Sequence, residues 1–177
     1  MQLKRWIFTV VLACASVAVE ADQTIGILMP LGAKGAELGL RSQVALKMFQ
    51  DNESLSDGRG EKIRFVIYDT RGDSAATVNL TRKLIYDDKV LAIVGPLFNN
   101  EAEVAFPVGV QGKTPIVMRL SAKPGIAANN RPWAFRNALT SDKLVGRLID
   151  KWLASQHKPI KWVVALVDTK DAFRNRT

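Results

Sequence analysis

Five short apolar runs, each followed by a polar turn, constrain this chain more than any other feature. They are TIGILM (residues 24–29), KIRFVIY (62–68), VLAIV (90–94), PIVMRL (115–120) and KWVVALV (161–167). Runs of this length, bounded by Gly, Pro and Asp, read as strands, most of them buried on both faces as in a parallel sheet. Between them lie stretches with helical spacing. Strict strand–helix alternation requires crossover connections, which are right-handed. The expected fold class is therefore α/β, a doubly wound and mostly parallel sheet.

The intervening helices are predicted from their apolar stripes. Residues 37–51 place Leu40, Val44 and Met48 on one line. Asp73 or Ser74 can cap a helix whose inner side is Ala76, Leu80 and Leu84. The segment 100–111 is a weaker helix, because Pro107 is expected to kink it or to end its first part. Residues 121–132 read as a long loop and 133–136 as a short extended piece. Ser141 or Asp142 starts a further helix, with Leu144, Leu148 and Leu153 or Trp152 facing inward. The break falls near Asn137, giving one lobe at 22–137 and the start of a second at 138–177.

The first 21 residues follow a targeting grammar: Lys4 and Arg5, an apolar run from Trp6 to Ala13, then small residues before Asp22. This is the pattern of a secretory signal peptide, and the run is too short to span a bilayer. Cys14, the single cysteine, lies inside that leader, so no disulfide, thiol nucleophile or cysteine metal site is expected after it. Acylation of Cys14 is the competing use, although VLAC fits a lipobox poorly. The net charge of +8 is scattered and does not form a stripe, which argues against nucleic acid as a partner.

Most catalytic readings fail on spacing. Gly32, Gly35 and Gly39 follow a strand and open a helix, and Asp69 ends the next strand, but the pattern is not GxGxxG. Asp69 with Asp73, or Asp168 with Asp171, reads as helix capping, not calcium binding. A phosphoacceptor site would need acids after the first strand, where Met29 and Pro30 stand. His157 is the only histidine, and Ser121 lacks a nucleophile elbow, so neither builds a triad. What remains is a pair of polar corners after the third and fourth strands: Phe98-Asn99-Asn100 and Ser121-Ala122-Lys123. Their amides, hydroxyl and ammonium form a rim able to hold a small polar or anionic group without chemistry. Two ordinary solvent loops would read the same way.

At these corners the chain resembles the type I periplasmic substrate-binding proteins of ABC importers, in the leucine-binding-like branch that takes branched-chain amino acids, amides, urea or aromatic acids. The matching segments are IGILMPLGAKGAELG, RFVIYDTRGDSAATVNLTRKLI, VLAIVGPLF, TPIVMRLSA, WAFRNALTSD and VVALVDTKDAF, in the family's order. The resemblance implies two α/β lobes that close on a ligand by hinge motion, with no catalysis and no cofactor. It implies ligand contacts from Asn99, Asn100, Ser121, Ala122 and Lys123, with Phe173 covering the ligand from the second lobe. Implied partners are a small amino-acid- or amide-like solute and the importer's membrane subunits, with a periplasmic location. Asn99 and Lys123 depart from the family's small hydroxyl residues. Lys123 either favours a more negative ligand or points to solvent. The second lobe is expected to be incomplete. A sensing lobe that regulates a partner, or a fragment without a working function, are the alternatives.

Overall fold

A computed structural model describes residues 23–32, 35–52, 62–119 and 123–156. The expected leader at 1–21, turn at 56–60, strand at 161–167 and loop at 168–177 lie outside the described residues. Five strands form one sheet: β1 (Gln23–Met29), β2 (Ile63–Asp69), β3 (Ala92–Val94), β4 (Ile116–Met118) and β5 (Ala134–Arg136). Their order is β2-β1-β3-β4-β5 and every pairing is parallel. The extended piece at 133–136 thus joins the sheet as β5, in register with β4 from Ile116↔Ala134 to Met118↔Arg136. Strands β3 and β4 are shorter than their apolar runs suggest. Leu91, at the start of the third run, is exposed and bonds through its amide to the Thr24 carbonyl before the ladder begins.

Helices α1 (Ala36–Asn52), α2 (Ser74–Arg82), α3 (Asn99–Gly112) and α4 (Ser141–Ala154) are connected to these strands. Asp73 caps α2, its carboxylate accepting from the Ala76 amide at 2.6 Å. A π-helical turn over Lys83–Asp87 extends α2 and brings both Leu84 and Ile85 into the core. The buried line of α2 is Thr77, Thr81 and Leu84, displaced one position from Ala76 and Leu80, which are half-buried. Threonine is tolerated there because each hydroxyl donates to the carbonyl four residues back, Thr77 to Asp73 and Thr81 to Thr77.

Helix α3 corrects one of the two expectations for Pro107, that it ends the first part of the helix. The helix runs unbroken from Asn99 to Gly112. The ring of Pro107 sits on the exposed side, while Ala105, Phe106, Val108 and Gly109 are buried. The missing N–H therefore leaves a carbonyl on the wet side, where water can satisfy it, and buried packing holds the helix together. Phe106, Leu28, Leu84, Ile93, Ile116 and Met118 form the centre of the core between α2, α3 and the sheet. Gly26 lets Leu84 approach, since a β-carbon there would lie 2.8 Å from Leu84 Cδ1.

Helix α1 covers the other face of the sheet, in a different phase from the one expected. A β-carbon at Gly39 would lie 1.7 Å from the Pro30 carbonyl oxygen, so that glycine is pressed against the end of β1. This contact turns Ser42 and Leu46, three and seven residues on, toward β1 and β3, with Phe49 at the edge of the same face and 50% exposed. Together with Ala45 they line a pocket of about 230 Å³ over Ile27, Met29 and Val94. Leu40, Val44 and Met48, the predicted inner stripe, are 49%, 60% and 60% exposed. Helix α4 has the expected apolar face, but Leu144, Leu148, Trp152 and Leu153 are exposed where an inward orientation was expected. Among the described residues, no helix is long and apolar enough to cross a membrane.

Two outcomes check this packing. Gly39→Ala should destabilise the fold by about 1–3 kcal/mol in urea unfolding, because backbone must shift to admit the methyl group. Val44→Lys with Leu148→Lys should lower hydrophobic-dye binding and leave the unfolding free energy within about 0.5 kcal/mol of the parent.

Candidate functional site

All five strands run in one direction, so their carboxyl ends define a single rim. Open α/β sheets bind ligands at that edge, next to the point where strand order reverses. Here the reversal lies between β1 and β3, and the loops after β1, β2, β3 and β4 meet around it.

Asp69, the last residue of β2, ties the first two loops together. Its Oδ1 accepts from the Leu31 amide at 2.7 Å, the Arg71 amide at 2.9 Å and the Gly32 amide at 3.3 Å. Desolvation pushes its pKa upward, but those three amides and the Arg71 guanidinium outweigh it, so the net shift is downward. Asp69 is therefore a brace for the β1–α1 loop, and its donors are all backbone of this chain. Gly35 in the same loop has a φ of 85° and lies against the ring of Phe98, where a β-carbon would be 2.3 Å from Cζ.

The next corner follows β3. Asn99 was expected in the loop before a helix starting at Asn100, yet both are the first two residues of α3, behind Phe98 as N-cap. Phenylalanine has no side-chain acceptor, so Glu101 supplies that half of the cap that reaches backward. Its Oε2 accepts from the Phe98 amide at 3.0 Å. Glu101 is fully buried and draws further hydrogen bonds from Thr70 and the Leu97 amide. Desolvation is the largest influence on it and raises its pKa, against the opposing pull of Thr70, Phe98, Thr77 and Leu97. The Thr77 hydroxyl has one proton and lies 2.7 Å from the Asp73 carbonyl but 3.4 Å from Glu101 Oε1. The Thr77 hydroxyl thus donates mainly to the Asp73 carbonyl and only weakly to Glu101 Oε1.

Asn100 is committed to this framework. Its amide donates to the Gly72 carbonyl at 3.3 Å and to Ser74 Oγ at 3.1 Å, while Ser74 Oγ bonds the Asn100 carbonyl. The two helix starts are thereby stitched side by side. Asn99 is half-buried on the neighbouring position of the first turn.

The corner after β4 is described from Lys123 onward. Ser121 and Ala122 lie outside the described residues, as do Phe173, His157, Asp168 and Asp171. Lys123 neither stands bare in the cleft nor points simply to solvent: its ammonium pairs with Glu103 Oε1 on α3. Its carbonyl accepts from Arg136 Nη1 at 2.9 Å, which ties this loop to the end of β5. Arg119, immediately after β4, donates from Nη1 to Ser42 Oγ of α1 at 2.9 Å. The structure thus brings Asn99 and Lys123 to the same rim, on adjacent parallel strands joined through Val94↔Val117. Sequence reading missed Glu101, Glu103 and Arg136. Glu101 had a local signal, an acid three residues after the N-cap, which a helix start set at Asn100 hides. Among the described residues, no group of three or more His, Cys, Asp or Glu side chains could hold a metal ion.

The family model for "periplasmic binding protein" matches residues 22–175. The chain belongs to the periplasmic binding protein family. Its solved neighbours share the fold. A solute-binding protein of an ABC transporter from Rhodopseudomonas palustris BisB5, in complex with 3,4-dihydroxybenzoic acid, superposes with a TM-score of 0.68 at 24% identity. That match covers 75% of this chain and 36% of the other. A leucine-binding protein from Thermotoga maritima gives 0.66 at 20% identity, covering 75% and 37%. A branched-chain amino acid transporter substrate-binding protein from Streptococcus pneumoniae, in complex with isoleucine, gives 0.63 at 19%, covering 76% and 38%. A search of curated proteins returns no significant match. This periplasmic binding protein chain therefore spans little more than a third of the structures it resembles. The family is one of binding proteins.

The two acids titrate with opposite consequences. Asp69 has a lowered folded pKa, so its contribution is present above the ordinary aspartate range and is lost as pH falls through the folded value. Glu101 has a raised one, so its contribution grows as pH falls through the folded value toward the ordinary glutamate range. Urea unfolding at stepped pH should show the stability margin over Asp69→Asn shrinking below about pH 4. The margin over Glu101→Gln should widen between neutral pH and about pH 5. Glu101→Ala should cost about 1–3 kcal/mol at either pH, because it strands the Phe98 and Leu97 amides.

Proposed function

We propose that this chain is the first lobe, with the start of a second at residues 138–177, of an extracytoplasmic solute-binding protein serving an ABC importer. In this reading the leader at 1–21 exports it to the periplasm, and the importer's membrane subunits are the partners. The solute is a small carboxylate or amide, such as an amino acid or an aromatic acid. Its polar head rests against the first turn of α3 at Asn99 and against the loop carrying Ser121, Ala122 and Lys123, with Phe173 covering it. Asn100 supports that turn from behind.

The observation that carries this reading is the juxtaposition of the α3 N-terminus with the Lys123 loop on one rim. A helix start presents amides and the positive end of the helix dipole, which favour a carboxylate. Arg71, Arg119 and Arg136 end neighbouring strands or begin their loops, adding positive charge around the same edge. The family supports the reading, and two of its solved neighbours hold a dihydroxybenzoic acid and isoleucine.

A ligand site normally buries about 70–90% of its ligand, and one open lobe covers much less. Titration of the 177-residue chain with isoleucine and with 3,4-dihydroxybenzoate, followed by NMR, should give weak, millimolar-range binding. The shifted amides should cluster at residues 98–101 and 119–125. Shifts scattered elsewhere, or none at these corners, would overturn the placement, and micromolar affinity in calorimetry would overturn the half-site geometry.

A further inference from the structure

We propose that Glu103 sets the charge of the solute this rim accepts, by pairing with Lys123 so that the ammonium beside Asn99 is offset by a carboxylate. The inference rests on the reading of Asn99 and Lys123 as solute contacts and adds a specificity-determining residue to it.

The placement follows from the helix. Asn99 and Glu103 are four residues apart on α3, so their side chains stand on one face, a turn apart. Lys123 reaches this face from the loop after β4 and meets Glu103, with the two side chains 37% and 43% exposed. Its backbone does not drift, because Arg136 at the end of β5 holds the Lys123 carbonyl at 2.9 Å. The ammonium is thus delivered to a fixed spot beside the first turn of α3, together with its own counter-charge.

This pairing changes what the lysine can select. A bare lysine beside a helix N-terminus favours a ligand with two negative charges over one with a single charge. With Glu103 beside it, a second ligand carboxylate meets a carboxylate of the protein as well as the ammonium. One carboxylate can still take the helix amides and the Asn99 amide, so a monocarboxylate or a zwitterion suffers little. A dicarboxylate loses its extra attraction. Exposed ion pairs of this kind are worth little individually, so the expected discrimination is about two- to fivefold and fades with salt.

The test compares the 177-residue chain with Glu103→Gln and with Glu103→Gln/Lys123→Met, after thermal melting shows each to be folded. Benzoate and phthalate, with one and two carboxylates, are titrated at low salt while the Asn99 side-chain amide is followed by NMR. Glu103→Gln should raise the phthalate-to-benzoate affinity ratio about two- to fivefold, and the gain should vanish in the double variant and at high salt. An unchanged ratio in Glu103→Gln, or a gain that survives loss of Lys123, overturns the role of Glu103 alone. If Asn99 stays silent to benzoate, phthalate and isoleucine in both the parent and Glu103→Gln, the solute-binding reading of the rim falls with it.

Discussion

A buried carboxylate holds the rim of this lobe together. Glu101 sits beneath the corner where the β2 and β3 loops turn into α2 and α3, with no exposed surface. A helix that starts against the core has amides that cannot reach water, and an acceptor must be supplied or the start is penalised. Phe98 as N-cap has none, so Glu101 serves its own helix and at the same time engages Thr70 and Thr77 on the neighbouring connection. Asn100 repeats the link on the surface, through Gly72 and Ser74. Two crossover units are locked at their functional ends, where an apolar core alone would leave polar turns to slide. Asn99 inherits its position from that lock.

Strands β1 to β4 were legible because a parallel sheet leaves an apolar run in the sequence wherever it passes, whereas the three residues of β5 read only as a short extended piece. The helix phases were less so. On α1 the conspicuous leucine–valine–methionine line faces outward, because Gly39 is driven against the Pro30 carbonyl and that single close approach fixes the rotation. On α2 the inner line is carried by Thr77 and Thr81, whose hydroxyls are spent on the preceding turn and leave methyl groups for the core. Pro107 looked like a breaker because sequence shows the lost N–H but not the side of the helix on which it is lost.

For the site, strand direction did most of the predicting. Once the sheet is parallel, loops after adjacent strands must emerge together, so the corners at Asn99 and Lys123 were bound to share an edge. The charges there were another matter. The Glu103–Lys123 and Arg136–Lys123 contacts join residues 20 and 13 positions apart through the path of one loop. Neither helical nor strand periodicity encodes that path, so a lysine that read as an unpaired cation carries its counter-ion with it.

The two halves of the rim differ in how firmly they are held, and that difference bears on function. The β2 and β3 corner is backed by the packing of α2 against α3, which carry Thr77, Thr81 and Phe106 in buried positions. The β1 loop is held through Asp69, Gly35 against Phe98 and the Gly39–Pro30 approach, with a helix above it whose outer stripe is wet. Local opening costs least where few apolar contacts and exposed hydrogen bonds hold a segment. In the proposed reading a solute head would meet the more firmly braced corner, at the first turn of α3, and adjustment to the bulk of the solute would fall to the β1 side.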